Sequence, residues 1–162
     1  MQTQAHVPSY LDAVPAGADL YRKATTALDQ IPMSVVLLAA RLAVADVFWR
    51  SAQSKLASWP TTIQLFANEY KVPLLPPVAA AYLATATELT ASVLLLLGFL
   101  SRAAALALIG LTAVIQLAVY PENWPDHILW ASLLLLIVAR GPGSVSLDRL
   151  LMHVVRQERV YG

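Results

Sequence analysis

The sequence predicts an all-α fold: a transmembrane four-helix bundle with short amphipathic helices at the membrane interface. Of its 162 residues, 58% are hydrophobic and 13% are charged, whereas a soluble domain has about half apolar and a quarter charged residues. The apolar excess is gathered into runs, and a helix needs about 20 such residues to cross a bilayer. Segments rich in proline and glycine separate the runs, as expected where helices end.

Three segments are predicted along the chain. Residues 1–30 are polar and interrupted by prolines, which predicts a cytoplasmic or interfacial segment with a short surface helix at 19–30. This segment lacks an apolar core, so it is not expected to act as a cleaved secretory signal. Residues 31–143 carry the transmembrane domain. Residues 144–162 form a basic, amphipathic tail that we expect to rest on the cytoplasmic membrane surface.

The transmembrane domain is predicted to contain four spans and one short interfacial helix. The spans are expected at 33–50 or beyond, 78–100, 103–120 and about 126–140, with the interfacial helix at 61–70. The last span is short unless Trp124 and Pro125 already belong to its first turn. Small residues let helices approach closely in lipid, and two predicted helix faces carry them: Ala80, Ala84, Glu88 and Ser92 on the second span, and Ala103, Ala107, Gly110 and Ala113 on the third.

The distribution of basic residues predicts the orientation. One side of the four spans would hold Arg22, Lys23, Arg102, Arg140, Arg149, Arg156 and Arg159, and the other only Arg50, Lys55 and Lys71. The positive-inside rule then places both termini in the cytoplasm. We therefore expect a multi-pass membrane protein with the long first loop facing outward.

Besides Asp46 in the first span, two charged residues lie inside apolar runs, Arg41 in the first span and Glu88 in the second. A charge at the bilayer centre is unfavourable by about 2.5–3.5 kcal/mol on insertion scales, so such residues pair or face a polar cavity. Counted from the inner ends of their spans, they lie at similar depths of about 12 and 15 Å. We predict that Arg41 and Glu88 form an ion pair, and that Asp46 pairs with Arg50 four residues later in the same helix.

A pocket that opens outward is predicted above this pair. Its candidate ligand-binding residues are Arg41 and Glu88 at the floor, and Lys55, Gln116 and His127 at the mouth. Plainer interpretations stay open. The buried ion pair can simply fix helix register, and Lys55 can anchor the helix at the membrane interface. His127 can simply be part of the first turn of its helix.

Several kinds of chemistry are excluded or unsupported. The sequence has no cysteine, which removes thiol relays, disulfides and cysteine metal sites. No metal site is predicted, because the three histidines are scattered and Glu122, Asp126 and His127 match no ligand spacing. There is no nucleophile elbow and no glycine-rich phosphate loop. A net charge of +1 gives no argument for nucleic acid.

The order of polar and small residues over about 35–151 resembles the DoxX family of small four-helix bacterial membrane proteins. The resemblance is carried by Arg41, Phe48 and Lys55 in and after the first span, Glu88 in the second, Gly98 with Arg102 after it, and the exit from the fourth span with Gly141, Gly143, Ser146, Leu147 and Asp148. The chain departs from the pattern at Ala52, where the family often has glycine.

The resemblance implies a multi-pass protein of the bacterial inner (cytoplasmic) membrane, and it implies more about architecture than about chemistry. Some relatives resemble quinone-linked membrane subunits of thiosulfate oxidation, and others are described as scaffolds of oxidoreductase assemblies that counter oxidative stress. The family supplies no agreed set of catalytic residues, so whether the chain is itself an enzyme stays open.

Two functions are therefore carried forward. In the first, the protein is a redox-linked subunit, part of a quinone-linked oxidoreductase, with a site for a quinone or similar molecule between its helices. Arg41 or Lys55 would donate to a carbonyl, Glu88 would hold Arg41 or accept a proton, and His127 would exchange protons with outer water. In the second, it is a non-catalytic scaffold or assembly partner, and its small-residue faces would allow a homodimer. A transporter has less support, since inverted repeats and broken helices are not evident.

Overall fold

The computed structural model describes residues 16–153, and within that range the regular structure is helical throughout, which confirms the predicted all-α class. The chain divides into two compact units between Pro32 and Met33. Helix α1 (Ala16–Leu28) belongs to the first unit and carries an exposed ion pair between Asp19 and Arg22. The parts of the predicted leader and tail before 16 and after 153 lie outside the described residues.

The second unit contains the long helices of the predicted transmembrane domain. Their bounds are α2 (Met33–Ala57), α3 (Trp59–Leu65) continuing as a π-helical turn (Phe66–Tyr70), α4 (Pro77–Leu97), α5 (Ser101–Val114) continuing as a second π-helical turn (Ile115–Val119), a 3-10 turn (Pro121–Asn123), α6 (Trp124–Arg140) and α7, described over 147–153.

Proline and glycine set the ends of these helices, as the sequence indicates. Helix α4 begins at Pro77, whose missing N–H is not needed in a first turn. It ends at Gly98 in the left-handed region (φ 67°), where the amides of Gly98 and Phe99 bond back into the last turn. Of the two possible starts for α6, the structure has the earlier one, since Trp124 and Pro125 form its first turn.

Within residues 16–153, two helical stretches are long and apolar enough by themselves to cross a membrane, Pro77–Leu97 and Ser101–Val119. A third is counted when Gly17–Leu28 and Met33–Ala57 are taken together as one span. Helix α2 has 25 residues but carries several charges. The 17 residues of α6 rise about 26 Å, slightly less than a hydrocarbon core of about 30 Å.

The four long helices of the second unit contact one another in a cyclic order. Helix α2 packs against α4 and α6, and α5 packs against the same two helices. Side chains from all four form one apolar core, which includes Val44, Phe48, Leu95, Leu108, Leu134 and Ile137. A smaller cluster joins α4 to the segment after α2 and contains Phe66, Ala80, Ala81 and Ala84.

The two predicted small-residue faces have different outcomes. On α4, Ala80, Ala84, Glu88 and Ser92 are all buried, as predicted. On α5 the small-residue face of Ala103, Ala107, Gly110 and Ala113 is exposed, and the buried face carries Ser101, Ala104, Ala105, Leu108 and Thr112. These small residues form a face that the helices within residues 16–153 leave uncovered.

Candidate functional site

A cavity of about 860 Å³ lies among α2, α4, α5 and α6 and is bordered by the segment 66–75. Its walls are mostly apolar. The polar side chains that line it within the helices are Ser51 and Lys55 of α2, Thr87 and Glu88 of α4, and His127 of α6. A space of this size, with a few convergent polar groups in apolar walls, is typical of a small-molecule site.

The centre of the polar group is an ion pair between α2 and α4. Lys55 Nζ donates to both carboxylate oxygens of Glu88, at 2.8 Å each, and to Ser51 Oγ at 2.7 Å. Ser51 Oγ in turn donates to Glu88 Oε1 at 3.0 Å. The Glu88 side chain is 2% exposed and that of Lys55 15%. The pair is therefore shielded from solvent, and its polar atoms are hydrogen-bonded. Charged side chains in apolar surroundings are found paired in this way.

The predicted ion pair between Arg41 and Glu88 is wrong. Arg41 is 1% exposed, but its guanidinium faces the other end of the unit, where it donates to four backbone carbonyls: Leu95 at 2.8 Å, Leu96 at 3.0 Å, Pro142 at 2.8 Å and Val145 at 2.7 Å. Two of these carbonyls end α4, where the helix dipole favours a cation. Carbonyl oxygens, rather than a carboxylate, thus stabilise this buried charge.

The direction in which helical side chains lean explains why Glu88 pairs with Lys55 and not with Arg41. A Cα–Cβ bond in a helix tilts toward the N-terminus. Because α2 and α4 are antiparallel, Arg41 leans away from Glu88, whereas Lys55 and Glu88 lean toward each other. The rise per residue alone places the Cα atoms of Arg41 and Glu88 at similar depths, because it does not include this lean.

The segment after α6 completes the Arg41 environment, which we call the Arg41 clamp: Arg41, the α4 end at Leu95–Gly98, and residues 141–148. A Cβ on Gly98 would lie 2.8 Å from Arg41 Nη2 and 2.6 Å from Ser146 Cβ, so only glycine fits. The carboxylate of Asp148 accepts from the amides of Leu100 (2.8 Å) and Ser101 (3.1 Å), which start α5. Gly98 and Asp148 therefore allow the end of α4, the start of α5 and the segment after α6 to meet.

The predicted pair within α2 is present. Arg50 Nε donates to Asp46 Oδ2 at 2.8 Å, and the two side chains are 78% and 57% exposed. Neither residue lines the cavity. Ala52, at the departure from the family pattern, is fully buried, so the interface accommodates its methyl group.

His127 and Gln116 form the second polar group at the cavity. His127 is 3% exposed and lines the cavity, and its Nδ1 lies 2.6 Å from Gln116 Oε1. Gln116 Nε2 donates to the Pro121 carbonyl at 2.8 Å, which directs the amide oxygen toward the histidine. His127 Nδ1 is then the donor, so Nε2 is the acceptor of the neutral ring.

Aromatic residues surround the cavity at the ends of α3 and α5. The Tyr120 hydroxyl donates to Glu69 Oε1 at 2.6 Å, and the Tyr70 and Tyr120 rings meet edge to face. The hydrogen bond to Glu69 raises the pKa of the Tyr120 phenol above its usual range, which keeps it a donor. In the loop after Tyr70, Lys71 and Leu74 both have positive φ (43° and 68°). This conformation is uncommon for residues other than glycine.

The structure brings together part of the predicted site. Lys55, Glu88 and His127 line the cavity, Gln116 supports His127, and Arg41 belongs to the clamp. Sequence reasoning missed Ser51, Tyr70, Tyr120 and Trp130. Ser51 had a usable signal, since it precedes Lys55 by four residues on α2 and shares its face. Within residues 16–153, no group of three or more histidine or acidic side chains could hold a metal ion.

The fold and the cavity define a helical membrane protein with a mostly apolar site between its helices. The model of the DoxX family matches residues 36–121, more than half of the chain, and the chain belongs to this family. The inner membrane protein YphA of Escherichia coli (strain K12) is 34% identical over 128 residues, which cover 71% of this chain and 89% of that protein. No significant match to a solved structure was found.

Proposed function

We propose that this protein is an inner-membrane subunit that binds a quinone, or a similar lipid-soluble carbonyl compound, between its helices and serves a redox-linked membrane assembly. The observation that carries the proposal is the buried pair of Lys55 and Glu88 inside an apolar cavity of about 860 Å³. An ion pair whose only role was to fix the register of two helices would not need a cavity beside it.

The proposed binding mode uses polar groups from two sides of the cavity. Lys55 would turn the donor that now meets Ser51 Oγ toward one carbonyl oxygen of the ligand, while Glu88 holds the ammonium group in place. His127 Nε2 supplies an acceptor for a hydroxyl when the ligand is a quinol. Phe48 and Trp130, which meet edge to face with ring centroids 5.7 Å apart, offer an apolar surface for the ring.

The proposal includes the membrane arrangement. We take α2, α4, α5 and α6 as four spans of a transmembrane bundle with both termini cytoplasmic, because basic residues outside the helices favour that side. The inner-membrane location of the relative YphA supports this placement. The loop ends of the cavity, near Tyr70 and Tyr120, would then face the periplasm.

The test is direct recovery and binding of a quinone. The protein is extracted with native lipids in polymer nanodiscs, its lipids are analysed for quinones, and an added benzoquinone is titrated while tryptophan fluorescence is followed. We expect a copurifying quinone in the parent protein and in Arg50→Gln, whose charge lies away from the cavity, and its loss in Lys55→Met. Absence of quinone, together with unchanged fluorescence and unchanged thermal stability on adding one, overturns the proposal.

A second function is favoured by the exposed small-residue face of α5. Ala103 and Ala113 face outward, and small residues on a lipid-facing helix suit contact with another membrane helix. In this alternative the protein is a non-catalytic scaffold or assembly partner of an oxidoreductase complex, or a homodimer. Two variants separate the functions. Lys55→Met combined with Glu88→Leu removes both charges and should lose the ligand while the protein still assembles, whereas Ala113→Leu on the exposed face of α5 should lose the partner and keep the ligand if the protein is a scaffold.

A further inference from the structure

We infer that the cavity opens sideways into the bilayer through a groove between α4 and α5, and that this groove holds the hydrocarbon tail of the ligand. The identity of the ligand rests on the proposed function, while the opening itself can be tested without any ligand. The groove is defined by Leu83 and Thr87 of α4 and by Ala107, Gly110 and Val114 of α5.

The first observation is which lining residues are exposed. All five groove residues line the cavity, yet Leu83 is 60% and Val114 40% exposed, and Ala107 and Gly110 are also exposed. On the opposite walls, Phe48 and His127 are nearly fully buried. Residues that border the cavity and also reach the surface mark an opening. One opening lies along the neighbouring helices α4 and α5, and the exposed residues of the segment 73–75 mark another at the loop end of the cavity.

The second observation concerns Gly110 in the middle of α5. Apart from its chain neighbours and the nearby backbone of α5, no atom of residues 16–153 lies within 4 Å of the position that its Cβ would take. Glycine in a helix interior is about 1 kcal/mol less favourable than alanine, and at this position no close packing requires it. Gly98 is the contrast, since its Cβ would meet Arg41 below 3.0 Å. The effect of glycine at 110 is to keep the groove deep.

The environment of the groove indicates the chemistry of its occupant. The helices that form it, α4 and α5, belong to the two stretches apolar enough to span a membrane by themselves, so the groove leads toward acyl chains. Its lining adds only one hydroxyl, from Thr87. At the ends of the helices nearest the loops, the Tyr120 hydroxyl donates a hydrogen bond to Glu69, which links two segments that border the cavity. An isoprenoid or alkyl chain fits the groove, with its head group at Lys55 and Glu88.

The opening is tested with brominated lipids, which quench tryptophan fluorescence on contact. Trp49, Trp59 and Trp124 are replaced by phenylalanine, leaving Trp130 in the cavity wall, and the protein is placed in vesicles of phosphatidylcholine with brominated acyl chains. We expect quenching of Trp130 to fall roughly twofold or more in Gly110→Leu, because leucine fills the groove. Ala113→Leu is the matched control, exposed on α5 but outside the cavity lining. Equal quenching in both variants overturns the opening.

The tail is tested with a decyl-chain benzoquinone and the same head group without a chain. We expect Gly110→Leu to weaken binding of the decyl compound about tenfold or more, since several methylenes lose their burial, and to leave the bare head group unchanged. Gly110→Ala, which adds one methyl in open space, should give an intermediate loss. If the chain contributes equally in the parent protein and in Gly110→Leu, the tail lies elsewhere. If neither compound binds the parent protein, the proposed function fails, and the lipid quenching alone decides the opening.

Discussion

Lys55 Nζ lies 2.8 Å from both carboxylate oxygens of Glu88, although the two residues are 33 positions apart and belong to different helices. The pair sits in the cavity wall with Ser51 bonded to both partners. This position allows the pair both to hold α2 against α4 and to contact a ligand in the cavity.

Breaking this pair should be far more damaging than removing both charges. Glu88→Gln leaves Lys55 without its carboxylate in an apolar site, and removing one partner of a buried pair is destabilising by about 3–5 kcal/mol. We expect the double variant Lys55→Met with Glu88→Leu to recover most of that stability but not ligand binding. Thermal unfolding in detergent measures the cycle. A double variant as unstable as the sum of the single variants contradicts this prediction.

Arg41 should tolerate no substitution, lysine included. Its planar guanidinium bonds to four carbonyls, whereas an ammonium group has three donors on one atom. Since a hydrogen bond to a charged group contributes about 1.5–3 kcal/mol, Arg41→Lys should lower the free energy of unfolding by about 3 kcal/mol or more. Arg50→Lys, on the same helix but exposed, is the control and should leave the free energy of unfolding nearly unchanged. Similar losses at both positions would argue against the clamp.

Two glycines should respond in opposite directions to one added methyl group. Gly98→Ala places a Cβ against the Arg41 guanidinium and keeps a positive φ, so we expect destabilisation of about 1–3 kcal/mol. Gly110→Ala meets open space in a helix interior and should stabilise by roughly 0.5–1 kcal/mol. Melting temperatures of the two variants measured side by side check the contrast, and a shift of the same sign in both would refute it.

The hydrogen bond between Tyr120 and Glu69 should give a pH-dependent contribution to stability. The pKa of the Tyr120 phenol is raised, chiefly by this bond and then by burial. A folded-state pKa above the unfolded value of about 10 means that the contribution is fully present at lower pH and is lost as the pH rises above about 10. The melting temperature of the parent protein should therefore fall more steeply in that range than that of Tyr120→Phe. Parallel curves would show that the bond carries no linkage.

The sequence predicted features that depend on neighbouring residues of one helix. Helix ends follow from prolines and from Gly98, because backbone sterics act locally. The pair of Asp46 and Arg50 follows from a spacing of four. The order of motifs indicated the DoxX family, and the family model bears this out.

Partners on different helices could not be read from spacing alone. Arg41 and Glu88 were matched by depth, but each side chain leans toward the N-terminus of its own helix, and α2 and α4 run in opposite directions. That lean sends Arg41 to the end of α4 and brings Glu88 to Lys55. Spacing likewise grouped the small residues of α5 on one face, but only the packed helices show that this face is exposed.

By itself the sequence determined a helical membrane protein, its helix ends and the residues that carry buried charge. Only the tertiary structure decided that Arg41 holds the helix ends together while Lys55 and Glu88 face a cavity. The physical reason is that a helix specifies its own backbone bonds and its i, i+4 neighbours. The level at which two antiparallel helices meet, and so the partner of each buried charge, is fixed by packing over the whole unit.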